Sequence, residues 1–248
     1  MRIAPPSAFL LDAPNGSRQR EALHGQGAEV LERRGSWTRV RLARDGYEGW
    51  LRGPALSEAA APTHAVAVRT THLYPEADLK TPPVACLSFG SEIAASPEGR
   101  WARTEWEGAP AYVHAAHLRA LDMPMEDPVA VAALFLGTPY VWAGNAGWGL
   151  DCSGLVQASC LACGVPCMGD SIDQSRTLGA PLEDEPRRGD LIFWRGHVAW
   201  VSGPDEILHA NGYAMRTCHE GLSAAVERIE GQGGGRPTAR RRINRPRG

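Results

Sequence analysis

The chain has 248 residues, of which 43% are hydrophobic and 22% are charged, a composition typical of globular rather than disordered or fibrous proteins. Its 26 basic and 28 acidic side chains give a formal net charge of −2, so no overall positive field would attract nucleic acid or an anionic membrane. The longest apolar run, residues 129–136, is far shorter than the roughly 20 residues that a membrane-spanning helix needs. We therefore expect neither nucleic acid nor a membrane as a partner.

The first residues do not resemble a secretory signal. They contain one basic residue and only four consecutive apolar residues before Asp12, and Pro5 and Pro6 interrupt them. A signal segment needs a longer apolar stretch. If the chain starts at Met1, we expect a cytoplasmic protein.

Two segments in the first half of the chain repeat one another. Residues 27–56 and 90–118 share, in the same order, a glycine, a central tryptophan, an aromatic-aliphatic pair and a final leucine. Each contains short alternations of apolar and polar residues separated by glycine-containing turns, which is typical of a small, half-buried antiparallel sheet. The sequence therefore predicts two small β-barrels, over residues 1–58 and 65–121.

After Asp127 the pattern changes to helices followed by strands. Asp127 is suited to cap a helix that has Pro128 in its first turn, is filled by residues 129–136 and ends at Gly137. Asp151 is suited to cap a second helix over residues 152–163. Strands are predicted over residues 191–194, 197–202, 206–210, 225–229 and 240–243. Helices that precede strands favour a segregated α+β domain over residues 126–248.

A cysteine, Cys152, stands in the first turn of the second predicted helix. Unsatisfied backbone N–H groups and the helix dipole lower the pKa of a thiol there and favour the reactive thiolate. The small neighbours Ser153 and Gly154 leave the sulfur approachable. A free cysteine is also commonly an ordinary buried apolar residue, so this segment alone leaves both interpretations open.

A thiolate nucleophile needs a base and a group that orients the base. His197 begins one predicted strand after a tight turn, and His209 lies on the next strand. Adjacent antiparallel strands can bring the two imidazoles together, so that one fixes the tautomer of the other. Either histidine alone is more often structural, but with Cys152 they form a candidate set of nucleophile, base and orienting group.

Three motifs, in order along the chain, resemble the NlpC/p60 family of papain-like cell-wall cysteine peptidases. They are Asp-Cys-Ser-Gly-Leu-Val, Gly-Asp-Leu-Ile-Phe-Trp before Gly-His-Val, and Leu-His-Ala, within residues 128–245. The repeats resemble the bacterial SH3-like domains that accompany this family. The resemblance implies a papain-like catalytic domain, with helices packed on an antiparallel sheet, after two SH3-like barrels. It also implies Cys152 as nucleophile, His197 as general base and then acid, and His209 as the group that orients His197.

The same resemblance implies a substrate. Relatives that act on released murein peptides have a tyrosine near the nucleophile, matched by Tyr140, and an acidic residue after the catalytic helix, matched by Asp170. In the stretch Met168-Gly-Asp-Ser-Ile-Asp-Gln174, Asp170 and Gln174 match the relatives, and Gly169 departs from the arginine usual at its position. A carboxylate there would recognise the free ammonium of L-alanine. The expected reaction is hydrolysis of the γ-D-Glu–diamino acid bond in murein peptides with a free N-terminal L-Ala, in cell-wall recycling, without a metal or cofactor.

Four further residues are candidates for substrate binding. Asp151 and Ser153 flank the nucleophile. Glu21 and Tyr47 stand in first-repeat segments that resemble those with which relatives wall the amine subsite. The ordinary alternative for Glu21 is a solvated charge, and for Tyr47 a tyrosine of the sheet.

Two other functions stay open from the sequence. The same fold and the same three residues serve amidases and acyltransferases that act on other substrates. A non-catalytic murein-binding protein is the second alternative. The presence of a matched nucleophile and base favours an enzyme, because a binding protein does not need them.

Overall fold

The computed structural model describes residues 1–243, and the chain divides into two compact units. The first unit comprises residues 1–123 and 145–148, and the second comprises residues 124–144 and the chain from 149 onward. Residues 244–248, the end of the predicted catalytic domain, lie outside the described residues. No helix within residues 1–243 is both long and apolar enough to cross a membrane.

Short strands form most of the regular structure of the first unit. They are β1 (Arg2–Ile3), β2 (Ser7–Leu11), β3 (Arg18–Leu23), β4 (Ala28–Arg34), β5 (Trp37–Leu42), β6 (Glu48–Arg52), β7 (Leu56–Ser57), β8 (His64–Val66), β9 (Thr70–Leu73), β10 (Ala85–Ser88), β11 (Glu92–Ile93), β12 (Ser96–Glu98), β13 (Trp101–Trp106), β14 (Ala109–His114), β15 (Leu118–Ala120) and β16 (Asn145–Ala146). A short 3₁₀ turn, Ala115–His117, precedes β15. The largest sheet of this unit has five strands in the order β3-β2-β6-β5-β4, and another has the order β12-β13-β14.

The two sequence repeats occupy equivalent places in these sheets. Trp37 and Trp101 each begin a six-residue strand, β5 or β13, that pairs with the following strand in an antiparallel hairpin. Each repeat also has its own apolar core. The first core contains Ile3, Leu10, Ala22, Ala28, Val40, Leu42, Leu51 and Ala55, and the second contains Val66, Leu73, Leu87, Ile93, Ala95, Ala102, Ala111 and Val113.

Residues 145–148 belong to the first unit although they are distant from it in sequence. The carboxylate of Glu21 accepts the backbone N–H of Asn145 at 2.8 Å. The backbone N–H of Gly147 donates to the hydroxyl of Ser88, also at 2.8 Å. The sequence pattern gave no indication of this excursion, because the two donors are main-chain groups that any residue carries.

The second unit contains four α-helices and one large sheet within the described residues. Its elements are α1 (Pro128–Ala133), β17 (Gly149–Leu150), α2 (Cys152–Ala162), α3 (Ser171–Thr177), β18 (Ala180–Pro181), β19 (Asp190–Trp194), β20 (His197–Gly203), β21 (Glu206–Asn211), β22 (Arg216–Gly221), α4 (Leu222–Gly231) and β23 (Ala239–Arg242). The six-stranded sheet has the order β18-β23-β19-β20-β21-β22, and all of its pairs are antiparallel.

The predicted helix starts are confirmed. The carboxylate of Asp127 caps α1 by accepting the N–H of Val129 at 2.9 Å, and Asp151 caps α2. The end of α1 was predicted too late, because the helix ends at Ala133 and residues 134–136 continue as turns with backbone bonds three residues apart. Four of the five predicted strands are present as β19, β20, β21 and β23.

The predicted strand over residues 225–229 is wrong, since this segment lies within α4. Its apolar residues recur at helical spacing: Leu222, Ala225, Val226 and Ile229 pack into one core with the sheet. Positions i, i+3, i+4 and i+7 define one face of a helix, and this spacing outweighs the short apolar run that suggested a strand.

Two helices fix the sheet of the second unit. Helix α2 packs on β20 and β21, and the indole N–H of Trp200 donates to the hydroxyl of Ser159 at 3.0 Å. The residues Ala225 and Ile229 of α4 pack with Val201 and Ile207 of the same strands. The strands that carry His197 and His209 are therefore held by well-packed apolar contacts.

We expect Gly147→Ala to destabilise the first unit. A Cβ at this position would meet the backbone carbonyl oxygen of Arg69, which cannot move away as a flexible side chain could. The cost should be about 1–3 kcal/mol in the free energy of unfolding, measured in urea.

The matched control is Gly231→Ala, at the end of α4, where a Cβ would meet open space. Alanine favours a helix over glycine by up to about 1 kcal/mol, so this variant should be neutral or more stable. Equal stabilities of the two variants would contradict the packing of residues 145–148.

Candidate active site

The start of α2 is held by one carboxylate. Asp151 accepts the N–H of Gly154 at 2.7 Å and the hydroxyl of Ser153 at 2.9 Å through one oxygen. Its other oxygen accepts the N–H of Ala143 at 3.0 Å. Asp151 and Ser153 are thus engaged in capping the helix, and their predicted contact with substrate stays a prediction.

Cys152 is the first residue of α2, and its thiol lies against the segment that carries His197. The Sγ atom is 4.0 Å from the carbonyl oxygen of Gly196, and the backbone N–H of Val198 is directed at it. The side chain is nearly buried, at 5% exposure. The structure therefore brings the predicted nucleophile to the backbone on both sides of the predicted base.

The two histidines meet as their strands predict. Nε2 of His197 lies 2.9 Å from Nδ1 of His209, and the ring centroids are 5.1 Å apart. His209 is fully buried, whereas His197 keeps some exposure. Since Nε2 of His197 is engaged with His209, its other ring nitrogen, Nδ1, is left for exchange of a proton with the thiol.

Burial controls the protonation of the thiol. It raises the pKa of Cys152 to about 12, and the negative charge of Asp151 adds to the rise. The backbone N–H groups of Val198, Ser153 and Cys152 lower the pKa, as expected at a helix start, but do not offset burial. The helix start thus acts on the pKa in the predicted direction, but burial opposes it and has the larger effect.

Burial acts on the imidazoles in the opposite sense. It lowers the pKa of His197 to about 3, and the neighbouring His209 and Arg228 contribute to the lowering. Burial also lowers the pKa of His209 to about 4, although the charge of Glu220 raises it. Burial thus disfavours the ionised forms of the thiol and of both imidazoles.

Tyr140 lies beside the nucleophile, as predicted. Its hydroxyl has a raised pKa, chiefly because of burial and then because of repulsion from the thiolate form of Cys152 and from the carboxylate of Asp151. The ring packs over Gly212, and the backbone N–H donates to the carbonyl of Met215 at 3.0 Å. The hydroxyl is therefore protonated at neutral pH and can donate a hydrogen bond near the thiol.

Asp170 stands at the start of α3, where it is half-buried. The buried Gln174 of the same helix donates through its side-chain amide to the carbonyl of Ser153 at 2.9 Å and to that of Met168 at 3.0 Å. This amide ties the start of α3 to the start of the catalytic helix. Gln174 stood in the motif around Asp170, but its connecting role was not predicted.

Glu21 and Tyr47 lie in the first unit. Glu21 is buried, and burial raises its pKa although the backbone N–H of Asn145 and the hydroxyl of Ser7 oppose the rise. Tyr47 is half-buried and packs against the first apolar core. The sequence alternative of a solvated surface charge is therefore wrong for Glu21. That Glu21 and Tyr47 form a wall of the amine-binding subsite stays a prediction.

Comparison with protein families gives two matches. Residues 137–226 match the NlpC/P60 family, and residues 10–56 match the bacterial dipeptidyl-peptidase Sh3 domain. The chain therefore carries an NlpC/P60 domain and a bacterial SH3 domain, as the sequence motifs predicted. The SH3-like nature of residues 65–121 stays a prediction.

Two curated relatives have the same name. The chain is 29% identical over 227 residues to a γ-D-glutamyl-L-lysine dipeptidyl-peptidase of Bacillus cereus, covering 77% of this chain and 66% of that protein. It is 38% identical over 89 residues to the γ-D-glutamyl-L-lysine dipeptidyl-peptidase of Bacillus subtilis, covering 36% of this chain and 28% of that protein. The chain thus spans less than two thirds of the length of either relative.

The fold also resembles a solved structure. The crystal structure of an NlpC/P60 family protein from Bacillus cereus matches with a TM-score of 0.84 over 98% of both chains, at 22% sequence identity. At this identity the match concerns the fold alone, and it confirms the predicted papain-like fold.

We expect the alkylation of Cys152 by iodoacetamide to rise with pH up to at least pH 9 without a plateau. The pKa of its thiol is raised, so the thiolate fraction should grow about tenfold per pH unit below that value. Mass spectrometry of the peptide that contains Cys152 measures the rate, and Cys152→Ser gives the background from other cysteines. A plateau between pH 5 and 7 would instead indicate a resting thiolate–imidazolium pair.

Proposed function

We propose that this chain, through its NlpC/P60 domain, is a cysteine peptidase that hydrolyses murein peptides. The observation that carries the proposal is the His197–His209 pair beside a thiol at a helix start. A nucleophile, a base and a group that orients the base are the minimum set for covalent acyl transfer. The names of the Bacillus relatives support a glutamyl-peptide substrate.

The first half of the reaction forms a thioester. As the substrate carbonyl approaches, Nδ1 of His197 takes the Sγ proton of Cys152, and the sulfur attacks the carbonyl carbon. Backbone N–H groups at the start of α2 stabilise the oxyanion. The intermediate collapses when the scissile C–N bond breaks, and the imidazolium of His197 gives its proton to the leaving amine.

The second half uses the same residues with water as nucleophile. His197 removes a proton from water, which attacks the thioester carbonyl, and the proton then passes to the departing sulfur of Cys152. This leaves a free carboxylate on the acyl product. Since both proton transfers pass through one imidazole, the orientation of His197 limits both halves.

The proposed bond is the one between γ-D-Glu and a diamino acid, in peptides with a free N-terminal L-Ala. A half-buried carboxylate at Asp170 suits an ammonium group, and Gln174 connects its helix to the backbone beside Cys152. An ammonium would give this carboxylate a charge-assisted hydrogen bond, which a peptide without the free amine could not supply. Recycling of wall fragments, in which free peptides occur, is the proposed role.

We expect the purified protein to convert L-Ala-γ-D-Glu-diamino acid peptides to L-Ala-γ-D-Glu and the released remainder. Mass spectrometry of the products from a small peptide panel, containing lysine or diaminopimelate, measures this. Cys152→Ala should abolish turnover and retain binding, because it removes only the nucleophile.

The same spectra separate the alternatives. An adduct of the acyl group with an added amine, in place of the free carboxylate, would indicate an acyltransferase. Binding without turnover in the unaltered protein would indicate a murein-binding protein. Either result would overturn the peptidase proposal.

We expect N-acetylation of the tripeptide to lower kcat/KM by at least about tenfold, equivalent to 1.4 kcal/mol, because it removes the ammonium that Asp170 would bind. Asp170→Asn should lower kcat/KM for the free peptide, and the difference in kcat/KM between the free and the N-acetylated peptide should become smaller. Asp173→Asn, one turn away on the same helix, is the matched control and should retain the preference. Equal rates on both peptides in the unaltered protein would exclude amine recognition.

A further inference from the structure

A carboxylate lies behind the second histidine. In the pairing of β21 with β22, His209 is opposite Cys218 and Ile207 is opposite Glu220. Since alternate residues of a strand share a face, Glu220 projects from the same face as His209. Its Oε2 atom lies 3.1 Å from Nε2 of His209, the ring nitrogen that is not engaged by His197.

An arginine from the following helix holds this carboxylate. Arg228 of α4 donates through Nε to Oε1 and through Nη2 to Oε2 of Glu220, both at 2.8 Å. Its guanidinium also lies 5.1 Å from the centroid of the Tyr213 ring. The hydrogen bonds from Arg228 are the main cause of a lowered pKa at Glu220, so the carboxylate is ionised at neutral pH.

The neighbouring amide has a defined orientation as well. The side-chain oxygen of Asn211 accepts the backbone N–H groups of Tyr213 and Ala214, at 2.8 and 3.2 Å. Its side-chain nitrogen therefore faces inward, donates to Oε2 of Glu220 at 3.1 Å and lies 3.2 Å from Nε2 of His209. The two side chains that face Nε2 of His209, Glu220 and Asn211, are thus both held by contacts beyond the two histidines.

These contacts select one tautomer of His209. Nε2 of His209 faces both the ionised oxygen of Glu220 and the neutral amide nitrogen of Asn211. A hydrogen bond to the charged oxygen is the stronger of the two, and a bare lone pair facing that oxygen would be repulsive, so Nε2 carries the proton and donates it to Glu220. Nδ1 of His209 is then an acceptor and takes a hydrogen bond from Nε2–H of His197. That leaves Nδ1 of His197 without a proton, in the form that a general base for Cys152 requires.

The opposite tautomer would disable the site. If His209 carried its proton on Nδ1, it would donate to Nε2 of His197, and the neutral ring of His197 would then carry its own proton on Nδ1. A protonated Nδ1 cannot accept the thiol proton of Cys152.

We infer that Glu220, held by Arg228, is a positioning residue that sets the tautomer of His209 and, through it, the base form of His197. The inference rests on the proposed peptidase function for its kinetic consequence, but the tautomer can be measured without substrate. In this arrangement Glu220 contacts neither the thiol nor the substrate. It acts on His209, and His209 in turn acts on His197.

The first test uses the unaltered full chain labelled with ¹⁵N-histidine. Two-bond ¹H–¹⁵N correlation spectra at pH 7.5 distinguish protonated from unprotonated ring nitrogens, and His197→Gln and His209→Gln assign the signals. We expect His209 to be protonated on Nε2 and His197 also on Nε2. A proton on Nδ1 of His209 would overturn the inference whether or not the protein cleaves murein peptides.

The second test removes the negative charge of Glu220. Glu220→Gln keeps the size of the side chain but gives Arg228 one acceptor in place of two and presents no carboxylate to His209. We expect a measurable fraction of His209 with its proton on Nδ1, and a kcat lower on the order of 10- to 100-fold with little change in KM, as for residues that orient metal-binding histidines. Arg228→Lys keeps the charge but not the paired hydrogen-bond geometry, so it should lower kcat less than Arg228→Met does.

A pair of the same geometry provides the control. Arg242 of β23 donates through Nε and Nη2 to the two oxygens of Asp190 on β19, at 2.9 and 2.8 Å, two strands away from β21 in the same sheet. Asp190→Asn should destabilise the fold while the His209 tautomer and kcat per folded molecule stay unchanged. If Asp190→Asn lowered kcat as much as Glu220→Gln, or if Glu220→Gln left tautomer and kcat unchanged, the inference would be wrong.

If the tautomer responds to Glu220→Gln but no murein peptide is cleaved by the unaltered protein, the positioning role stands and the proposed substrate fails. The two proposals are therefore tested separately.

Discussion

The carboxylate of Asp151 sets the geometry on which the rest of the site depends. It accepts three hydrogen bonds, from Gly154, Ser153 and Ala143, and so joins the start of α2 to the loop that precedes it. A buried carboxylate is tolerated only when its oxygens are satisfied, and here they are. Cys152 stands in the chain between Asp151 and the residues Ser153 and Gly154 that donate to it, so these hydrogen bonds fix the position of its backbone. Burial is the main cause of the raised pKa of the Cys152 thiol, and the negative charge of Asp151 adds to it.

Burial and charge are distributed differently over the site. Burial disfavours the ionised forms of Cys152, His197 and His209. The ionised pair of Glu220 and Arg228 lies further out, where part of each side chain remains exposed. In the proposed reaction, burial would thus restrict the free thiolate, the form that is most easily oxidised or alkylated.

Local features were predictable from the sequence, and contacts that depend on tertiary packing were not. The caps at Asp127 and Asp151 follow from neighbouring residues, and the meeting of His197 and His209 follows from two consecutive strands. The strand order beyond β21 did not follow, because β22 and α4 were not recognised. Without them Glu220 had no visible connection to His209.

The same limit applies to the errors. The strand prediction for residues 225–229 is wrong because a short apolar run does not distinguish the helical from the strand periodicity until its flanking residues are included. The sequence placed a cysteine at a helix start and so indicated a low pKa, but the degree of burial at Cys152 is a property of the packed domain. Gln174 likewise stood in a motif, yet the carbonyl groups that it binds are main-chain atoms that carry no sequence signal.

The excursion of residues 145–148 has a consequence for how such proteins are built. Four residues shortly before Cys152 in the chain belong to the first unit, where their main chain binds Glu21 and Ser88. A simple tandem array can lose or exchange its N-terminal part at a linker, because no later residue depends on it. Here removal of residues 1–123 would leave residues 145–148 without Glu21 and Ser88, their hydrogen-bond partners. Exchange of the N-terminal part at the linker would therefore disrupt contacts that a later segment of the chain makes.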